Sequence, residues 1–446
     1  MKHYFETLSQ SVFKTLGKDQ HLTLEVAGDD TQFVRINAAK VRQAGVVQNY
    51  FLSFTFVMGS DPKNLKRGTG QITLSLDPAR DQETLQTYLS RFKNELPSLP
   101  VDPYAELPKN EVASSVSETK GKLLARDAVV EALIAPCAGV DIAGIYAGGS
   151  VVRGLANSVG LFHWFSTETF SFDFSLFTDG QKALKGGYGG TEWNQDIYKT
   201  KIQSSIEKLE RLKIPSRKIE RGDYRVYLAP AAFEDLVNML NWGGVSEMAI
   251  RKNQSALRFL RNGEKKLSPL FTLTEDFLGG EVPRFNSEGH LAPVTQTLID
   301  KGELKISQVS ARTALEFGIP SNGAGEGEGM RSPIVKTGTL KEADILSRLG
   351  TGLYLSNLHY LNWSDMVNGR ITGMTRYACF WVENGKIICP IENLRFDETI
   401  FDVFGSSLEA LTEFDEYSAS TQTYGRREIG GTRVPGALLS KMHFSL

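Results

Sequence analysis

The chain has 446 residues, with 50 Lys and Arg against 52 Asp and Glu, and 41% of its residues are hydrophobic. That composition excludes wholesale disorder, collagen and coiled coil, and the net charge of −2 gives no bulk electrostatic reason to bind nucleic acid or an anionic membrane. A chain this long buries enough apolar surface to fold without disulfide staples, and two or three domains are expected.

Residues 3–16 read as a helix. HLTLEV, TQFVRIN, VVQNYFLSFTFVM and GQITLSLD then read as strands, separated by turn signals at Gly28-Asp29-Asp30 and Gly59-Ser60-Asp61-Pro62. Leu85, Tyr88, Leu89 and Phe92 have helical spacing within 80–95. Four prolines, Pro97, Pro100, Pro103 and Pro108, open an extended connection over 97–122. It is either a domain boundary or a loop on the surface of one domain. LLARDAVVEALIA reads as a helix. Phe170, Phe172, Phe174 and Leu176 then alternate with polar residues, the period of a half-buried strand, and Asp179-Gly180 supplies a hairpin turn.

Residues 194–211 read as a helix. GDYRVYLAPAAFEDLVNMLNWGG reads strand, turn, helix, with Pro230 in the first helical turn and Gly243-Gly244 at the end. Beyond about residue 265 short strands alternate with Gly-rich turns, interrupted by helix-like stretches at 339–348 and 397–412. The expected fold is α+β: residues 1–220 pair an antiparallel sheet with helices, and residues 221–446 are mainly β.

Local chemical motifs are scarce. No two of the six His lie within five residues of each other, and there is no HExxH, Walker A loop, GxGxxG or GxSxG. The run Gly323–Gly329 reads as a loop with few side chains to order it, although Glu326 and Glu328 could face a cation. Cys137, Cys379 and Cys389 are an odd count without CxxC, which points to a reducing compartment, and the N-terminus lacks a signal-peptide pattern. The most apolar stretches, Tyr50–Met58 and Ala132–Val140, are too short to span a bilayer, so a cytoplasmic protein is expected. His359, Asn362, Trp363, Ser364 and Asp365 form a polar and aromatic run that could line a groove, with Trp381 as a further groove candidate; at period two, half of the aromatics around His359, Trp363, Phe380 and Trp381 should instead face the core.

Four segments taken in order resemble the TldD/PmbA family. They are GSVVRGLANSVGLFHW, ERGDYRVYLAPAAFEDLVNML, NSEGHLAPVTQTLIDKGELKISQVSARTALEFGIPSNG and GTGLYLSNLHYLNWSDMVNGRITGMTRYACFWVENGKIICPIENL. The resemblance spans roughly residues 125–446. It implies a family in which TldD-like chains are metallopeptidases carrying HExxxH on the helix after the strand at 222–228, with a Cys from the C-terminal part completing the site. TldE (PmbA)-like chains lack those ligands and pair with TldD-like chains. The family is linked to maturation of ribosomally made peptides, degradation of unfolded polypeptide and modulation of DNA gyrase.

Counted along this sequence, the HExxxH slot falls near Asn238–Gly243 and the Cys slot near Arg427, so both His, the Glu and the Cys are replaced. A zinc peptidase needs about three protein ligands and an open water position. The resemblance therefore implies no cofactor in this chain, with zinc only in a TldD-like partner. The implied partners are that subunit or a second copy of this chain, and a peptide substrate; neither membrane nor nucleic acid is expected. A self-sufficient hydrolase would have to draw on His163, His290, His359, Glu234, Asp235 and the Cys pair. A gyrase- or DNA-associated modulator finds only short basic clusters, Lys63–Arg67, Lys208–Lys218 and Arg261–Lys266.

Overall fold

The computed structural model describes residues 1–110, 113–180 and 182–445. The first sheet is built from β1 (Gln20–Asn37), β2 (Lys40–Met58), β3 (Lys66–Thr73), β4 (Ser115–Thr119), β5 (Asp141–Asn157), β6 (Phe162–Phe177) and β7 (Ala183–Gly190). Its order is β3-β2-β1-β5-β6-β4, with β7 also on β6, and every pairing is antiparallel except β4 with β6.

Alternation gives the sheet two unlike faces. On one face Leu22, Leu24, Val26, Leu52, Phe54 and Phe56 are buried under α1 (Lys2–Phe13) and α2 (Pro78–Glu95). Val34, Ile36, Tyr146, Phe172 and Phe174 continue that apolar surface under α3 (Val129–Ile134) and α4 (Gln195–Leu212). The other face carries Thr23, Glu25, Asp29 and Thr31 and turns toward loops of the second half of the chain.

The second sheet follows β8 (Gly222–Leu228) and α5 (Pro230–Asn238). Its strands are β8 itself and β9 (Leu273–Asp276), β10 (Thr295–Asp300), β11 (Glu303–Leu304), β12 (Pro333–Val335), β13 (Gly352–Leu355), β14 (Asn357–Asp365), β15 (Arg370–Arg376), β16 (Phe380–Glu383), β17 (Lys386–Pro390), β18 (Arg395–Thr399), β19 (Leu408–Ala419) and β20 (Gly431–Phe444). The sheet is mixed, since β8 runs parallel to β13 and β12 parallel to β20. α5 buries Phe233, Leu236 and Val237 in the same core as Val226, Leu228, Ala437 and Leu439. Among the described residues no helix is long and apolar enough to cross a membrane.

Several expectations need correction. Gly28-Asp29-Asp30 is not a turn: β1 runs straight through it, paired on both sides. A Cβ at Gly28 would lie 2.2 Å from the Tyr50 ring and 2.4 Å from the Asn49 carbonyl oxygen, so this glycine permits close strand approach. The Pro-rich stretch carries β4, which pairs with β6 of the first sheet; Glu111 and Val112 of that stretch lie outside the described residues. The helix read over LLARDAVVEALIA is confined to α3.

Of residues 397–412 only 400–406 are helical, a short segment between β18 and β19 that inserts Phe401, Val403 and Phe404 into the core; the rest is strand. The Gly-rich loop is not left unordered either. Glu328 is buried, and its carboxylate accepts from the Ser246 hydroxyl, from Met248 N–H at 2.9 Å and from Ser310 N–H at 2.8 Å.

Candidate functional site

Pro230 opens α5 just after β8, and the apolar stripe Ala232, Phe233, Leu236 and Val237 fixes which side of the helix meets the core. The opposite side is then dictated by helical spacing. Ala231, Glu234, Asp235 and Asn238 recur at i, i+3, i+4 and i+7 and form the floor of a cleft of about 810 Å³. One wall is the first sheet, with Asp173 on β6 and Lys185–Gly189 on β7. The other walls are the start of β14 (Asn357–His359) and the end of β19 with the residues that follow it.

Glu234 is pushed up to about 7 by burial, reinforced by the charge of Asp235, while Ser418 and Asn238 partly hold its ionised form. The Asn238 amide donates to Glu234 at 3.3 Å, and its oxygen accepts from the Thr432 hydroxyl at 3.0 Å. Asp235 is also pushed up to about 7 by burial, opposed by Leu358 N–H, which donates to it at 3.3 Å, and by Lys185. Lys185 pairs with Asp173 at 3.5 Å. His359 is lowered, by burial first and then by the cations Arg376 and Lys185, which favours the neutral imidazole.

Of the residues singled out from sequence, the cleft brings together Asn238 and His359, with Glu234 and Asp235 from the alternative set. The others lie elsewhere. Asn362 is exposed further along β14, opposite Thr372. Trp363 and Trp381 pack against the main core, and the Arg217 guanidinium sits 4.5 Å above the Trp381 ring. Gly243 ends the turn after α5 in a left-handed conformation, with φ 81°.

Arg427 is buried in the loop between β19 and β20 but outside the cleft wall. Its guanidinium donates to the Thr169 carbonyl at 3.0 Å and to the Thr169 hydroxyl at 2.6 Å, and its N–H donates to Asp29 at 3.3 Å. It ties the second half of the chain to the first sheet. His163 is stacked on Phe285 at 5.2 Å, with ring nitrogens at hydrogen-bonding distance from Ser115 and Gly289. His290 lines a second polar cavity, between the first sheet and loops of the second half.

These side chains do not fit a zinc centre. Among the described residues no three His, Cys, Asp or Glu converge in a geometry that would hold a metal ion. The Cys379 thiol is buried, donates to the Arg376 carbonyl at 3.1 Å and is pushed up by burial. The ammonium of Lys185 already supplies positive charge beside Glu234 and Asp235. Sequence reasoning missed Asp173 and Lys185; the only local signal was the glycine-rich run Lys185–Gly190 on an apparently ordinary strand.

Residues 221–446 match the family model described as the PmbA/TldA metallopeptidase C-terminal domain. The fold matches three solved structures over essentially their whole length. A candidate modulator of a DNA gyrase from Thermotoga maritima is 15% identical with a TM-score of 0.77, each chain being covered to 100%. A candidate modulator of DNA gyrase from Bacteroides thetaiotaomicron is 16% identical with a TM-score of 0.76, covering 100% of this chain and 98% of that one. TldE from Thermococcus kodakarensis is 14% identical with a TM-score of 0.78, covering 99% of this chain and 100% of that one. No curated protein matches the chain by sequence.

Proposed function

The chain belongs to the PmbA/TldD metallopeptidase family, and we propose that it is a metal-free, TldE-like subunit that pairs with a TldD-like metallopeptidase in the cytoplasm. Together they would handle or process unfolded or ribosomally made peptides, with zinc and hydrolysis belonging to the partner. The observation that carries this reading is the cleft face of α5. It presents Glu234, Asp235 and Asn238 beside the Lys185 ammonium, where a zinc peptidase needs about three converging ligands and a free water position. The fold shared with TldE from Thermococcus kodakarensis supports it.

This chain would contribute a peptide-binding wall. β7 pairs with β6 alone among the described residues, and its Gly186, Gly187 and Gly189 line the cleft, with Gly189 against Ala419 of β19. An extended peptide lying over these glycines would be held through backbone hydrogen bonds, which do not depend on its sequence. The three cysteines are free thiols among the described residues, in keeping with a reducing compartment.

The test is metal content and activity of the chain alone and co-expressed with an HExxxH-bearing relative. The isolated chain is expected to hold well below one zinc and to leave an unfolded test protein intact, whereas the co-purified pair holds zinc and cleaves it. One zinc per isolated chain, with activity lost on chelation, would mean that this chain is a self-sufficient peptidase.

A further inference from the structure

Up to Arg35 of β1, the antiparallel pairings of the first sheet join odd-numbered residues to odd, so the odd set shares one face. Successive rows across that face carry three openings. Gln71, Ser53 and Glu25 stand in one row and line the polar cavity that holds His290. Phe51 and Arg153 flank Ala27 in the next row and line a third cavity, of about 500 Å³. Ser171 lines the α5 cleft, in the row of Phe33 and Ala147. From the Ala27 row to the Phe33 row is about 20 Å of strand.

The loop between β19 and β20 crosses the face in that gap. Thr31, Gly149 and Thr169 form a single row, and the buried Arg427 guanidinium donates to the Thr169 carbonyl at 3.0 Å and to the Gly149 carbonyl at 3.4 Å. Arg427 N–H donates to Asp29 at 3.3 Å, and the Arg153 guanidinium donates to the Arg427 carbonyl at 3.2 Å. Asn49 holds the tip of the loop, donating to the Gly425 carbonyl at 3.2 Å. Glu428 lines both the cleft and the third cavity, so one side chain of this loop is the wall between them. Beyond it, Gln71 is shared by the third cavity and the His290 cavity.

Thr169 is the next residue of β6 on this face after Asp173 and Ser171. An extended chain lying over those two residues of the cleft is therefore headed into Arg427. On the β7 side the way is shut by Ala419, whose methyl would lie 2.6 Å from a Cβ at Gly189. We propose that the β19–β20 loop is a length gauge for the cleft: latched across the first sheet by Arg427, it stops a peptide at Glu428 instead of letting it run on toward Phe51 and Gln71. Backbone pairing is indifferent to sequence, so what the loop selects is length. This deepens, and rests on, the reading of the cleft as a peptide-handling groove.

The experiment uses the full-length chain and capped peptides of Ser, Ala and Val, 4 to 16 residues long. Each carries a dye at one end and a photo-crosslinking benzophenone at the other, in two series of opposite polarity. Affinity, read by fluorescence anisotropy, is expected to rise with length to a plateau, with cross-links on the cleft walls and none on residues 51–71. In the variant, Thr423–Arg427 is replaced by Asn-Gly, a two-residue turn that keeps the bond from Glu428 N–H to the Gln422 carbonyl. There the 16-residue peptides should bind at least about tenfold tighter than the plateau and cross-link to residues 51–71.

Cross-links on residues 51–71 in the unmodified chain would overturn the gauge and leave the peptide cleft standing. So would an equal gain with length in both proteins, or a folded variant with no gain. Binding of no peptide by either protein would overturn both readings. The cross-link map of the unmodified chain decides the matter even where the shortened loop fails to fold.

Discussion

At the scale of single residues, burial and charge explain two side chains whose roles the sequence did not reveal. Glu234 keeps its proton in the folded protein up to about pH 7, whereas an unfolded Glu loses it near pH 4.3. Over that window the folded state binds more protons than the unfolded one, so stability falls as pH rises. Asp235 and Lys185 act on this group directly, and Asp173, His359 and Glu428 line the same cleft. E234Q removes the penalty of ionisation. It should therefore raise stability by about 2 kcal/mol at pH 8 and leave it nearly unchanged at pH 4, as read by urea denaturation at both pH values.

Arg427 acts the opposite way. Its side chain satisfies Thr169 and, at longer range, the Gly149 carbonyl, with the main chain of the same loop held by Asp29. R427A leaves those buried acceptors unpaired and should cost about 3 kcal/mol, seen as a lower urea midpoint. R427K cannot reproduce the planar fork and should recover only part of the loss.

At the scale of elements, an intolerant contact in the first sheet is Gly28 against β2. G28A places a methyl within the Tyr50 ring and the Asn49 carbonyl, both part of a continuous ladder. It should lower stability by 2 kcal/mol or more in the same assay, an overpacking cost of about that size. Local pattern located α2, α4 and α5 well, because each carries an apolar stripe at helical spacing. It failed at 397–412, where Phe401, Val403, Phe404, Leu408 and Leu411 imitate that spacing. There β20 offers Leu408 and Leu411 a strand partner, and pairing overrides the local periodicity.

At the scale of the whole molecule, the two sheets do not behave as independent bodies. Phe380 and Ala378 of the second half share a core with α3, α4 and β6, and Phe285 packs with Leu155, Leu161 and Phe165 of the first. Together with Arg427 these contacts couple the halves. Full-length protein should therefore unfold in one calorimetric transition. Residues 221–446 expressed alone should melt at least about 5 °C lower and bind a hydrophobic dye, having exposed those apolar side chains. Two separate transitions in the intact chain would contradict that coupling.

By itself the sequence determined the α+β class, the strand–helix unit at 222–238, the absence of HExxxH and the resemblance to the TldD/PmbA family, because alternation, helical stripes and ordered motifs are properties of neighbouring residues. His359 stands in a polar and aromatic run, and its place among the residues that line the cleft comes from the tertiary structure. Trp363, from that run, and Trp381, on β16, pack against the core, since which face of a strand is buried depends on what packs against it. Only the tertiary structure decided that Glu234 and Asp235 on α5 meet Asp173 and Lys185 from the first sheet. The two groups are separated by about fifty to sixty residues of chain, and no local pattern encodes the sheet packing that places them in one desolvated cleft.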